Sequence, residues 1–322
     1  MPSSTLEKGA LAVSASVPKK AMSNTYTIFF MIVLSFACAL ILSILASVLE
    51  KPKEVAKELD RSKQMMIAAK LLDHQDYFLV QDPQGNYLSA NYEEGRLVPS
   101  NSSQMATKSQ LLDIYSKRII PFLVDKEGNI KTFEEEKINY NDYLAAYRKT
   151  GYYQLPLMLV YKILPNPADK ESNINSAVEG YVIPINGLGL WDAIYGYLAI
   201  KPDGNTVIGI SWYDQKETPG LGANISEAYW QSLFPNKQIF QQNADGKTDF
   251  KSAPLGLTVV KGKVAESLGT IPKAKSAVDG MAGATLTGNG VTDAYRNVLA
   301  PYRPFLTKLH QTYSLSQEKM HN

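Results

Sequence analysis

Nine residues near the C-terminus, Asp279-Gly280-Met281-Ala282-Gly283-Ala284-Thr285-Leu286-Thr287, bring a hydroxyl to the start of a helical pattern. Val291, Ala294, Tyr295, Val298 and Leu299 follow at i, i+3, i+4, i+7 and i+8, one apolar helical face. Pro301 is expected to stop that helix. The threonines therefore stand at or near a helix N-terminus, where free backbone N–H groups and the positive end of the helix dipole favour a phosphate. Gly283 and Ala284 leave room for such a group to approach the backbone. Taken alone, the same nine residues also fit a capped turn with no ligand.

Two further stretches carry chemistry. In Glu217-Thr218-Pro219-Gly220-Leu221-Gly222 the Pro-Gly step predicts a tight turn with positive φ at Gly220. Gly187-Leu188-Gly189-Leu190-Trp191-Asp192-Ala193-Ile194-Tyr195-Gly196-Tyr197 is not a dinucleotide fingerprint. Asp192 stands where a third glycine is needed, and no strand–helix unit surrounds it. On composition alone the first stretch is a surface turn and the second a strand with a core Trp–Tyr pair.

All three stretches, in this order, resemble motifs of the covalent FMN-binding subunits of bacterial sodium- and ferredoxin-linked respiratory complexes. There the motif Asp-Gly-x-Ser/Ala-Gly-Ala-Thr is esterified on its threonine with FMN phosphate by a flavin transferase. Thr285 is the matching position, with Gly283 and Ala284 beside it and Ala282 where Ser is frequent. The Glu-Thr-Pro-Gly-Leu-Gly loop lies along the isoalloxazine ring in that family. The resemblance thus implies that Glu217 and Thr218 meet the ring's polar edge and that Leu221 and Gly222 pack at its apolar face. It makes Leu190 and Trp191 the opposite wall.

The resemblance implies one covalent FMN per chain and electron transfer within a membrane complex that oxidises NADH, reduces quinone and exports sodium. Its partners would be the other subunits of that complex and, during maturation, the flavin transferase. No catalytic residue is expected in this chain, which would not be active alone. The equivalent subunit of a ferredoxin-linked, Rnf-type complex is the alternative, and the added segment 75–174 favours the sodium pump. From a different class, a membrane-anchored binding module without cofactor would carry the same anchor.

The elements that must position these residues begin at the N-terminus. From Tyr26 to Leu49 the chain carries no charge and is apolar enough to cross a bilayer. It exceeds the apolar region of a signal peptide, so an uncleaved single span is expected. Residues 54–73 repeat Val55, Leu59, Met66, Ala69 and Leu72 at helical spacing, which predicts a stalk. Asp60-Arg61-Ser62-Lys63-Gln64 resembles the segment just after the anchor in the family's sodium-pump branch. Three Asp-containing turns, at Asp82, Asp125 and Asp203, predict strand corners. Strands are expected over 119–124, 157–163, 181–184, 195–200, 207–212 and 257–260. A helix is expected over 226–233, capped by Ser226, with Tyr229 and Leu233 inward.

Strands and helices mix without βαβ regularity, so the fold class is α+β: one N-terminal transmembrane helix followed by a mixed α+β FMN-binding domain. The organisation expected is a tail (1–25), a transmembrane helix (26–49), a helical stalk (50–74), a family-variable α+β region (75–174), the FMN-binding domain (175–305) and a C-terminal tail (306–322). A net charge of +2 and the lack of a basic–aromatic run argue against nucleic acid. The single cysteine, Cys38, excludes an internal disulfide, and the three histidines lack metal spacing. Lys8, Lys19 and Lys20 precede the span, whereas Lys51, Lys53, Lys57, Arg61 and Lys63 follow it, so the Lys/Arg count does not favour a cytoplasmic N-terminus. The resemblance implies the reverse: a bacterial inner-membrane protein with its flavin domain on the outer, periplasmic face.

Overall fold

The computed structural model describes residues 24–82, 84–166 and 178–321. Most of the expected N-terminal tail and the expected boundary at 174/175 lie outside the described residues. The chain divides into two units, 1–56 and 57–322. Helix α1 (Asn24–Ala68) contains the span, Asn24–Glu50, whose mean hydropathy of 2.9 and 27 residues are enough to cross a membrane. It ends where Lys70 takes a left-handed φ of 56°. Its last turn and the residues beyond, Met65 to Leu72, are buried apart from Lys70 and belong to the core of the second unit. Of the periodic residues that predict a helix over 54–73, Met66, Ala69 and Leu72 are buried, but the helix ends at Ala68, so the last two pack from beyond its end.

The second unit opens with an antiparallel meander of β1 (Phe78–Gln81), β2 (Tyr87–Glu93) and β3 (Arg96–Pro99). Helix α2 (Lys108–Arg118) follows, started by a capping box in which Thr107 and Gln110 satisfy each other's backbone N–H groups. Next come β4 (Ile119–Val124), β5 (Ile130–Lys131), α3 (Tyr140–Tyr147), β6 (Met158–Ile163), β7 (Gly180–Leu188), β8 (Ala193–Ile200) and β9 (Val207–Asp214). These strands make one antiparallel sheet in the order β5-β4-β6-β7-β8-β9. The three Asp turns are the corners β1–β2, β4–β5 and β8–β9. In each, the Asp side chain accepts backbone N–H groups of the turn, as in Asn86 N to Asp82 Oδ1 at 2.8 Å and Asn129 N to Asp125 Oδ1 at 2.7 Å.

Side chains alternate across this sheet, and both faces are covered. On β8, Ile194 and Leu198 enter one core, and Tyr197 and Ala199 the other. The first core is closed by α4 (Ala228–Gln231), a two-stranded parallel pair of β10 (Thr258–Val259) and β11 (Ala277–Val278) with α5 (Val264–Ser267) between them, and the long helix α6 (Thr285–His321). The second holds α2, α3, the meander and the residues from Met65 to Leu72.

Three expectations need correction. Helix α6 does not stop at Pro301; it runs on through Pro301 and Pro304. Each proline removes an N–H and costs ~3 kcal/mol in a helix interior. Tyr302, Phe305 and Leu306, all buried, continue the apolar face beyond them. Burial at ~1.5–3 kcal/mol per large side chain offsets that cost. The separate tail expected over 306–322 therefore begins inside the domain. The helix expected over 226–233 is only Ala228–Gln231, Glu227 is its N-cap, and Ser226 ends a preceding 3-10 turn (Gly222–Ser226). Finally, Tyr229 is 59% exposed, while Trp230 and Phe234 point inward. Leu233 does pack against the first core as expected; only Tyr229 departs, and the inward place goes to the Trp230 indole, which donates to the Asp279 carbonyl at 3.0 Å.

Candidate functional site

Five residues of the Asp279–Thr287 motif have distinct local settings. The Asp279 carboxylate accepts from Val264 N at 2.8 Å, pinning the start of α5, and its carbonyl takes the Trp230 indole N–H. A Cβ on Gly280 would lie 2.1 Å from the Val260 carbonyl oxygen, so only glycine fits there. Gly283 adopts a left-handed φ of 72° and turns the chain into α6. Thr285 is then the first helical residue and is exposed. Thr287 is 1% exposed, and its hydroxyl donates to Glu217 Oε2 in a short contact. Two like hydroxyls two residues apart are thus placed in opposite settings.

The two loops converge on this helix start. Leu221 lies against Gly283, where an added Cβ would come within 2.9 Å of Leu221 Cδ2. Gly222 faces Thr287 and Glu217, and Gly290 in the second turn of α6 abuts the Leu188 carbonyl at the end of β7. Around this point Leu188 is 73% exposed and Trp191 68%, and Leu190, Leu221 and Leu286 are exposed as well. Trp191 is therefore not the core residue that composition alone allows. A cluster of large exposed apolar side chains beside an exposed helix-N-terminal hydroxyl is the lining a flat aromatic ring with a phosphate arm requires. The residues present fit FMN on these grounds.

The structure places Glu217 differently from the ring-edge role expected of it. The residue is 5% exposed, and its carboxylate accepts from Leu190 N and Trp191 N, each at 3.0 Å, as well as from Thr287. Burial alone would raise its pKa, but the hydrogen bonds from Thr287, Trp191 and Leu190 outweigh burial and hold it below the usual carboxylate value. Thr218 accepts from the Trp191 indole at 3.1 Å, and Lys216 pairs with Asp192 at the exposed rim. That pair lowers the Asp192 pKa and raises that of Lys216. Gly220 has the expected positive φ, at 74°.

Sequence reasoning did not assign Leu188, Leu286 or the inward role of Thr287. For Thr287 the signal was present: it precedes Val291, Ala294 and Val298 by 4, 7 and 11, on the apolar face. Thr285 shares its phase with Asn289, Thr292 and Arg296, on the polar face. Among the described residues no group of three or more His, Cys, Asp or Glu side chains could hold a metal ion.

The FMN-binding domain family matches residues 189–300, the segment that contains both loops and Thr285. The C subunit of the Na(+)-translocating NADH-quinone reductase of Chlamydia caviae is 42% identical over 314 residues, covering 93% of this chain and 98% of that protein. The protein of the same name from Chlamydia muridarum is 39% identical over 292 residues, covering 88% and 91%. Among solved structures, the protein of that name from Parabacteroides distasonis superposes with a TM-score of 0.50 at 22% identity. It covers 80% of this chain and 97% of that one, a likeness of fold.

Proposed function

The chain belongs to the family of C subunits of the Na(+)-translocating NADH-quinone reductase, and from that premise we propose that it carries FMN as a phosphoester on Thr285 and relays electrons within such a complex. The observation that carries this reading is the contrast at the start of α6: Thr285 is exposed in the first turn, whereas Thr287 is buried and already bound to Glu217. The ester forms between the Thr285 hydroxyl oxygen and the FMN phosphorus. The donor is an activated FMN phosphoanhydride brought by the transferase. Its P–O anhydride bond breaks, the phosphate on the far side leaves and takes up the threonine's proton, and the net change on the chain is the addition of FMN less one water. Bound FMN supplies reversible electron uptake.

The chain's own residues do the rest. Free N–H groups at the start of α6 face the phosphate and favour its charge. Leu190, Trp191, Leu221 and Leu286 cover the ring and exclude water. A covalent tether keeps the cofactor from diffusing away on the outer face of the inner membrane, where we place the domain. Attachment requires a flavin transferase, and hydride oxidation, quinone reduction and sodium movement belong to partner subunits. The relatives' names and lengths favour the sodium pump over a ferredoxin-linked complex.

A spectrum tests the reading. Full-length chain produced with a flavin transferase and Mg²⁺ is expected to be yellow, and the colour is expected to stay with the protein through denaturation and gel filtration. A colourless chain would support the cofactor-free binding module instead.

A further inference from the structure

Glu217 is a buried carboxylate held by two other segments of the chain. Its Oε2 accepts from Leu190 N and from the Thr287 hydroxyl, and its Oε1 accepts from Trp191 N. The donors come from the turn between β7 and β8 and from the first turn of α6. Two glycines close around the same group. A Cβ on Gly189 would sit 2.4 Å from Glu217 Oε1, and one on Gly222 would sit 2.8 Å from Oε2 and 2.5 Å from Thr287 Oγ1. The small residues of both loop motifs thus make room for this carboxylate. Its neighbours repeat the attachment: Lys216 holds Asp192, and Thr218 holds the Trp191 indole.

Every hydrogen bond recorded to the Glu217 carboxylate comes from a donor, so the site calls for a group that only accepts, an ionised carboxylate. We propose that Glu217 is a positioning residue whose carboxylate ties both ring-side loops to the helix turn carrying Thr285, so that the ring walls and the phosphate anchor move as one unit. The proposal rests on the Thr285 reading for what the unit holds, but it assigns Glu217 no contact with flavin. Thr287 is then the helix's end of the tie. A Gln at 217 would place an NH2 against a backbone N–H and break at least one bond.

Backbone amide exchange in the full-length chain tests this without flavin. Leu190 and Trp191 lie in an exposed turn, yet their amides are expected to exchange slowly. Glu217→Gln should speed both by about tenfold or more, with the amides in the middle of β7 unaffected. Thr287→Val should speed them to a lesser degree, and Thr287→Ser should restore the wild-type rate. In the flavinylated chain, Glu217→Gln and Thr287→Val should keep FMN covalently bound while changing its visible circular dichroism and raising its emission as Trp191 loosens.

Wild-type exchange at Leu190 and Trp191 in Glu217→Gln would overturn the proposal whether or not the chain carries flavin. Should that variant not fold, wild-type exchange in Thr287→Val would overturn it equally. Faster exchange in a chain that accepts no flavin would support the tie while defeating the Thr285 reading, so the two fail separately.

Discussion

Thr285 and Thr287 are alike in chemistry and separated by helical phase. Thr285→Ala is expected to abolish flavin attachment, and Thr287→Ser to preserve it, measured as protein-bound flavin absorbance. Trp191 makes a second contrast. Because it is 68% exposed, Trp191→Ala should change unfolding free energy by less than about 1 kcal/mol while altering the flavin spectrum. Trp230→Ala, in the core, should cost ~3–5 kcal/mol in denaturant unfolding. Glu217 gives a pH signature. Its folded pKa lies below the ordinary 4.5, so its contribution to stability is full above that value and is lost as pH falls through the folded pKa. Unfolding free energies of wild type and Glu217→Gln should therefore converge as pH falls below 4.5. At this scale the motifs were legible because they are local. The inward turn of Glu217 was not, since its donors lie 26, 27 and 70 residues away in the chain.

The elements divide along the same line. Strands β4 and β6 and all three Asp corners could be read from the sequence, because apolar runs and Asx turns are set by neighbouring residues. The β1–β3 meander beyond its first corner and the two-residue strands β5 and β11 could not, because tertiary pairing alone defines strands so short, whereas β10 falls within the strand expected over 257–260. Helix α6 shows how burial overrides a local rule. Pro301 is a sound stop signal, yet the face that begins at Val291 continues through Tyr302, Phe305 and Leu306. Tyr302 also donates its hydroxyl to the Leu159 carbonyl at 2.9 Å, fixing the helix to β6 beyond the first proline. If this packing holds the segment in place, Phe305→Ala should destabilise the domain by ~3–5 kcal/mol. A cost below about 1 kcal/mol, as expected for a frayed tail, would show that the helix ends at Pro301 in solution.

For the whole molecule, the apolar span was plain in the sequence because crossing a bilayer needs a long uncharged run and nothing else. Its orientation was not, because the Lys/Arg count and the family resemblance point opposite ways. A reporter active only outside the cytoplasm, fused after Asn322, is expected to be active; activity of a cytoplasm-only reporter would relocate the domain and leave the flavin site intact. The proposed electron-carrying function turns on one bond, between the Thr285 oxygen and a flavin phosphate. The direct measurement is peptide mapping by mass spectrometry of the full-length chain after production with the transferase. The account predicts a single FMN-less-water adduct, with fragment ions placing it on Thr285 and leaving Thr287 unmodified. An adduct on Thr287, or none on the peptide spanning 279–296, would contradict it.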